Sequence, residues 1–87
     1  MKDKDLIQFP SDYIFKIMGK PCPEFEQEVL TILHAQFPHM TEGSLKFTYS
    51  KGNKYLSISA TVYAERFEQL EITYLALKSN PRVLYYL

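Results

Sequence analysis

One cysteine, two histidines, two arginines and a Ser-Lys-Gly-Asn run are the residues of this sequence best suited to chemistry. Cys22 stands just before Pro23, at a predicted helix start, where the helix dipole can favour a thiolate. No second cysteine is present to resolve a disulfide, and neither His34 nor His39 adjoins it in sequence. An ordinary thiol is the expectation. A copper-type carrier would need a second thiol nearby. The two histidines lack an Asp, Glu or Cys cluster at ligand spacing, so neither a metal nor a cofactor is expected. Glu24, Glu26 and Glu28 crowd the start of the predicted helix, where carboxylates favour the positive end of its dipole. Ser50, Lys51, Gly52 and Asn53 could offer backbone N–H groups and an ammonium to an anion. They lack the long glycine loop, the Lys-Ser/Thr ending and the following helix of a phosphate-binding loop. Tight turns call for the same residue types, and a hairpin tip is the favoured reading.

These groups need a frame, and length and composition bound it. Eighty-seven residues make one domain, since a second core would not fit. Seven Tyr and six Phe supply a core, because each buried aromatic removes ~150–250 Å² from water. Ten basic residues balance ten acidic ones. A domain that binds nucleic acid by charge shows a basic excess or stripe, so nucleic acid is disfavoured as a partner. A lone cysteine excludes a disulfide scaffold. Apolar runs of a few residues fall far short of the ~20 that span a membrane, and no signal peptide is evident. The expected location is the cytoplasm.

Residues 1–12 read as a polar lead and 13–87 as the single domain. The spacing predicts a strand over 13–18, broken by Gly19-Lys20-Pro21, and a helix from Pro23 that ends before Pro38. Phe25, Val29, Ile32, Leu33 and Phe37 mark its buried stripe. A strand over 45–50 turns through 50–54 into a strand over 55–63. In that third strand Leu56, Ile58, Ala60 and Val62 alternate with Ser57, Ser59 and Thr61. A second helix over 65–77 buries Phe67, Leu70, Tyr74 and Leu77, and 83–87 form a last strand. The order β-α-β-β-α-β predicts an α+β ferredoxin-like two-layer sandwich, with a four-stranded antiparallel sheet and both helices on one face. An acylphosphatase-like enzyme on this frame would need an arginine near the first strand. Arg66 and Arg82 are elsewhere.

Phe9-Pro10, Lys16-x-Met18-Gly19 and Pro23-Glu24 resemble the YbeD-like family of short bacterial proteins. The resemblance continues through the hairpin from Ser50 to Ser59 and through Glu68-Gln69-Leu70-Glu71-x-x-Tyr74-x-x-Leu77. It covers nearly the whole chain. The resemblance implies a ferredoxin-like sandwich similar to ACT-type regulatory domains, and it carries over no activity or catalytic residue. Between Gly52 and Tyr55 the chain is one residue longer than the family pattern, so no role of the loop tip is carried over either. In the second helix Tyr74 belongs to the core stripe, Glu68 and Glu71 are read as polar-side residues, and Gln69 completes the set without an assigned side.

Helices on one side leave the other sheet face to water or a partner. Strand three gives that face Ser57, Ser59 and Thr61. Strand one gives it Ile14, Lys16 and Met18, because an unpaired Lys16 ammonium in a small core would be costly. Apolar groups beside hydroxyls suit a modest interaction surface. The expected function is that of a non-enzymatic regulatory or adaptor domain, binding a small metabolite or a protein, with homodimerisation expected. The alternatives are a small enzyme using Lys16 or Lys51 beside a carboxylate, and weak RNA binding through the open sheet face.

Overall fold

A computed structural model describes residues 8–87. The polar lead expected over 1–12 therefore lies mostly outside the described residues, and the first strand is already formed at Ser11. The elements are β1 (Ser11–Gly19), α1 (Pro23–Gln36), β2 (Leu45–Tyr49), β3 (Leu56–Ala64), α2 (Phe67–Lys78) and β4 (Val83–Tyr86), with short 3-10 turns at Glu42–Ser44 and Lys51–Asn53. One four-stranded sheet has the order β2-β3-β1-β4, and every pairing is antiparallel. This is the ferredoxin-like arrangement.

The core lies between the sheet and the helices. Phe15 and Ile17 from β1 and Leu56, Ile58, Ala60, Val62 and Ala64 from β3 meet Phe25, Val29 and Leu33 of α1 and Leu70 and Leu77 of α2. The strict alternation of β3 is what divides its two faces. Pro23 opens α1 with Glu24 and Glu26 in its first turn. Glu28 does something else. Its carboxylate accepts hydrogen bonds from Asn80 Nδ2 at 3.0 Å and Arg82 Nε at 3.2 Å, which ties α1 to the turn before β4. The Asn80 bond, with help from Arg82, holds the Glu28 carboxyl below its usual range.

One expectation changes. The first strand runs through Gly19 instead of breaking there, because Gly19 still pairs with Leu56 of β3 and Val83 of β4, under Phe25 and the Arg82 carbonyl where no side chain fits. Gln69, which the sequence left without an assigned side, is buried. Its Oε1 accepts from the Glu65 and Arg66 amides, and its Nε2 donates to the Gln36 carbonyl at 2.8 Å. One side chain thus caps the start of α2 and ties it to the end of α1.

Tyr74 straddles core and surface. Its ring lies 4.9 Å from that of Phe15 and 5.7 Å from that of Tyr86, and its hydroxyl shares a 2.8 Å hydrogen bond with Tyr13. Desolvation by burial, then the Tyr13 bond, pushes its phenol well above the ordinary tyrosine value of 10. A phenol that ionises later in the folded chain contributes stability that is complete below the unfolded value, near 10, and lost as the pH rises beyond it. Thermal melts carried through that alkaline range should therefore show a shallower decline for Tyr74→Phe than for wild type. Equal slopes would remove the phenol from the account.

Candidate functional site: the open sheet face

Residues directly opposite one another on neighbouring strands share a face, so the register defines the open surface row by row. Lys46, Ser59 and Lys16 form one row, extended by Leu87, which exchanges backbone hydrogen bonds of 3.0 and 2.8 Å with Lys16. Thr48, Ser57, Met18 and Tyr85 form the next. Thr61 and Ile14 stand opposite each other on the other side of the Lys row. Chemistry changes across the sheet: ammonium and hydroxyl groups on β2 and β3, the Lys16 ammonium between aliphatic and thioether groups on β1, and aromatic and aliphatic groups on β4. Ile14 is 55%, Tyr85 56% and Leu87 58% exposed. Phe15 and Ile17, the alternate residues of β1, are fully buried, so the strand cannot turn over without stranding them.

Ile14, Lys16, Met18, Ser57, Ser59 and Thr61 thus all lie on one face. Sequence reasoning did not include Tyr85 and Leu87 in this set, nor Lys46 and Thr48. The strand over 83–87 was legible, but its register against β1 depends on where the Ser79-Asn80-Pro81 turn ends, and β4 slips at Met18/Gly19.

Ser50, Lys51, Gly52 and Asn53 sit at the far tip of the β2–β3 hairpin. Gly52 (φ 76°) and Asn53 (φ 55°) take the left-handed conformation the turn needs. Two amides of the loop are committed to the loop itself: Asn53 N–H donates to the Ser50 carbonyl at 2.8 Å, and Tyr55 N–H donates to Ser50 Oγ at 2.9 Å. An anion would have to displace the first of these bonds to use the Asn53 amide. Titration with phosphate or ATP should accordingly leave the Gly52 and Asn53 amide shifts in place, and saturable local shifts would establish an anion site instead.

Cys22 takes the cap position before Pro23, half-buried, with the Arg82 guanidinium donating to its Sγ at 3.9 Å. His34 and His39 are both exposed, and among the described residues no group of three or more His, Cys, Asp or Glu converges as a metal site would require. Among the described residues the ion pair is Arg82–Glu28, on the turn before β4, and neither Lys16 nor Lys51 has a carboxylate within salt-bridge distance. Concavities also mark the surface of the described residues. One, of ≈690 Å³, lies over Glu28, Asn80 and Arg82; the other, of ≈520 Å³, lies at the end of β3 between His39, Tyr63 and Arg66. No helix among the described residues is long and apolar enough to cross a membrane.

The family described as "Protein of unknown function (DUF493)" matches residues 4–87. The chain belongs to the DUF493 family. Its curated relatives carry the name UPF0250, in agreement with the YbeD-like resemblance. A UPF0250 protein of Bordetella pertussis is 38% identical over 93% of this chain and 89% of its own length. Another, from Nitrosomonas europaea, is 36% identical over 95% of both. No solved structure matches. Within DUF493, then, neither the family description nor these names carries an activity, and the reading of this site rests on its own geometry.

Proposed function

We propose that this DUF493 domain is a non-enzymatic adaptor or regulatory module that binds a protein partner on its open sheet face. The observation that carries this reading is the graded surface itself. Met18, Tyr85 and Leu87 form a contiguous apolar patch on β1 and β4, Ile14 extends it, and it is bordered by Ser57, Ser59 and Thr61. Protein interfaces combine apolar anchors with bordering polar groups, and here the anchors lie toward the β4 edge with the polar groups on the central strands. Lys16 and Lys46 add ammonium groups that favour carboxylates on the partner. A contact of ~1,000 Å² is what one such face can offer, in the range of transient complexes. The central strand positions hold Lys16, Ser57 and Ser59 rather than the stacked aromatics of an RNA-binding sheet, which favours protein over RNA.

The test is capture from native lysate by wild type and by the double variant Ile14→Ser, Met18→Ser, with mass spectrometry of what is held. These are surface changes, so stability should shift by roughly 0.5 kcal/mol or less for each. Partner capture should fall at least tenfold. Unchanged capture by a folded double variant would sink the proposal.

A further inference from the structure

The two edges of the sheet differ in a way that bears on self-association. Every sheet edge presents unpaired N–H and C=O groups, and charged side chains, lysine above all, are the usual guard against pairing with another strand. β2 carries such a guard in Lys46, with Lys51 and Lys54 in the adjoining loop. β4 carries none. Val83-Leu84-Tyr85-Tyr86-Leu87 is uncharged, without Pro or Gly, and of strongly strand-forming types. Leu84 is 53% exposed beside the exposed Tyr85 and Leu87.

Hydrogen-bond alternation fixes which groups are free to pair. Lys16 and Leu87 exchange both of their bonds, so the next residue of β4, Tyr86, turns its N–H and C=O away from β1. What fits that edge is another extended strand. We infer that the occupant is β4 of a second copy of this chain, paired antiparallel about a two-fold axis near Tyr85. Leu84 of one copy then stands opposite Tyr86 of the other, and the two sheets join into one of eight strands. Charge decides between the edges. Two-fold pairing of β2 would bring like ammonium groups together across the axis, whereas β4 meets its copy with no charge opposed. The joined sheet also brings the two apolar patches, each with Met18, Tyr85 and Leu87, side by side. The inference rests on the proposed function only in that the doubled face would serve the same partner.

The edge contact is at the small end of specific interfaces, below ~1,200 Å² in total, so the dimer should be concentration-dependent. Sedimentation velocity across a dilution series, with Leu84→Lys and separately Tyr85→Lys, tests it. Wild type should pass from monomer to dimer, and each lysine should weaken the dimer at least tenfold by opposing charges near the axis. Both residues are exposed, and a circular dichroism spectrum confirms folding; should one variant unfold, the other carries the test. The Tyr86 amide should exchange with solvent more slowly in the dimer. The Ile14→Ser, Met18→Ser variant should still dimerise, so a lost dimer and a lost partner are told apart. A wild type that stays monomeric, a dimer indifferent to the folded lysine variants, or an edge that takes up only another protein's strand would overturn the inference.

Discussion

Replacing Phe15 by alanine is expected to remove about 3–5 kcal/mol of stability, the largest loss from any single side chain considered. Phe15 is fully buried at the centre of the sheet. Its ring meets those of Tyr13 at 5.1 Å, Tyr74 at 4.9 Å and Phe37 at 6.0 Å, and so joins β1 to both helices' ends of the core. Truncation loses the transfer energy of the ring and leaves a cavity that a sheet position cannot close. Domains of this size commonly have ~5–15 kcal/mol in all, so a large part of the fold's margin goes with it. Chemical denaturation is the check, with Phe15→Leu as a milder companion. A loss near 1 kcal/mol for alanine would mean that the aromatic cluster is loosely packed.

Gly19→Ala should cost about 2–3 kcal/mol, although it adds only one methyl group. A Cβ at this position would stand 2.5 Å from Phe25 Cε1 and 2.6 Å from the Arg82 carbonyl oxygen. Neither neighbour yields cheaply: Phe25 is fully buried, and the carbonyl belongs to the backbone entering β4. The glycine is what allows the turn before β4 to close against the end of β1. Combining Gly19→Ala with Phe25→Leu should cost less than the sum of the two, because the smaller side chain gives the methyl room; the carbonyl clash remains, so recovery is partial. Strict additivity would show that the methyl is accommodated elsewhere. Backbone movement at Arg82 would also disturb its bond to Glu28, visible as altered shifts in residues 80–84.

Much of this architecture was legible because local pattern and global fold agree. The Leu56-to-Val62 alternation named its own inward face, Pro23 and Pro38 bracketed α1, and Lys16 oriented a β1 that is apolar on both sides. What was not legible depends on contacts distant in sequence. Gly19 reads as a strand breaker until Phe25 and Arg82 are seen to press on it. Gln69 has no legible side until it is found capping α2 and holding Gln36. Glu28 reads as part of the helix-dipole trio, yet its partners Asn80 and Arg82 lie more than fifty residues away. Phe47 and Tyr49 follow the inward alternation of β2 but stay partly exposed, because two helices do not cover the outer edge of four strands. The candidate site was half visible for the same reason. Its β1 and β3 residues follow from alternation, whereas Tyr85 and Leu87 join them only through the register of β4.

The claim on which the functional reading turns is that a partner meets the open sheet face and not the helices. Methyl-resolved NMR of the domain, alone and bound to its captured partner, tests this most directly. Ile14 and Met18 lie on the open face, whereas Ile32 and Ile72 lie on α1 and α2. Binding should shift or broaden the Ile14 and Met18 methyl signals and leave those of Ile32 and Ile72 in place. Movement of the helix methyls with Ile14 and Met18 unchanged would contradict the account.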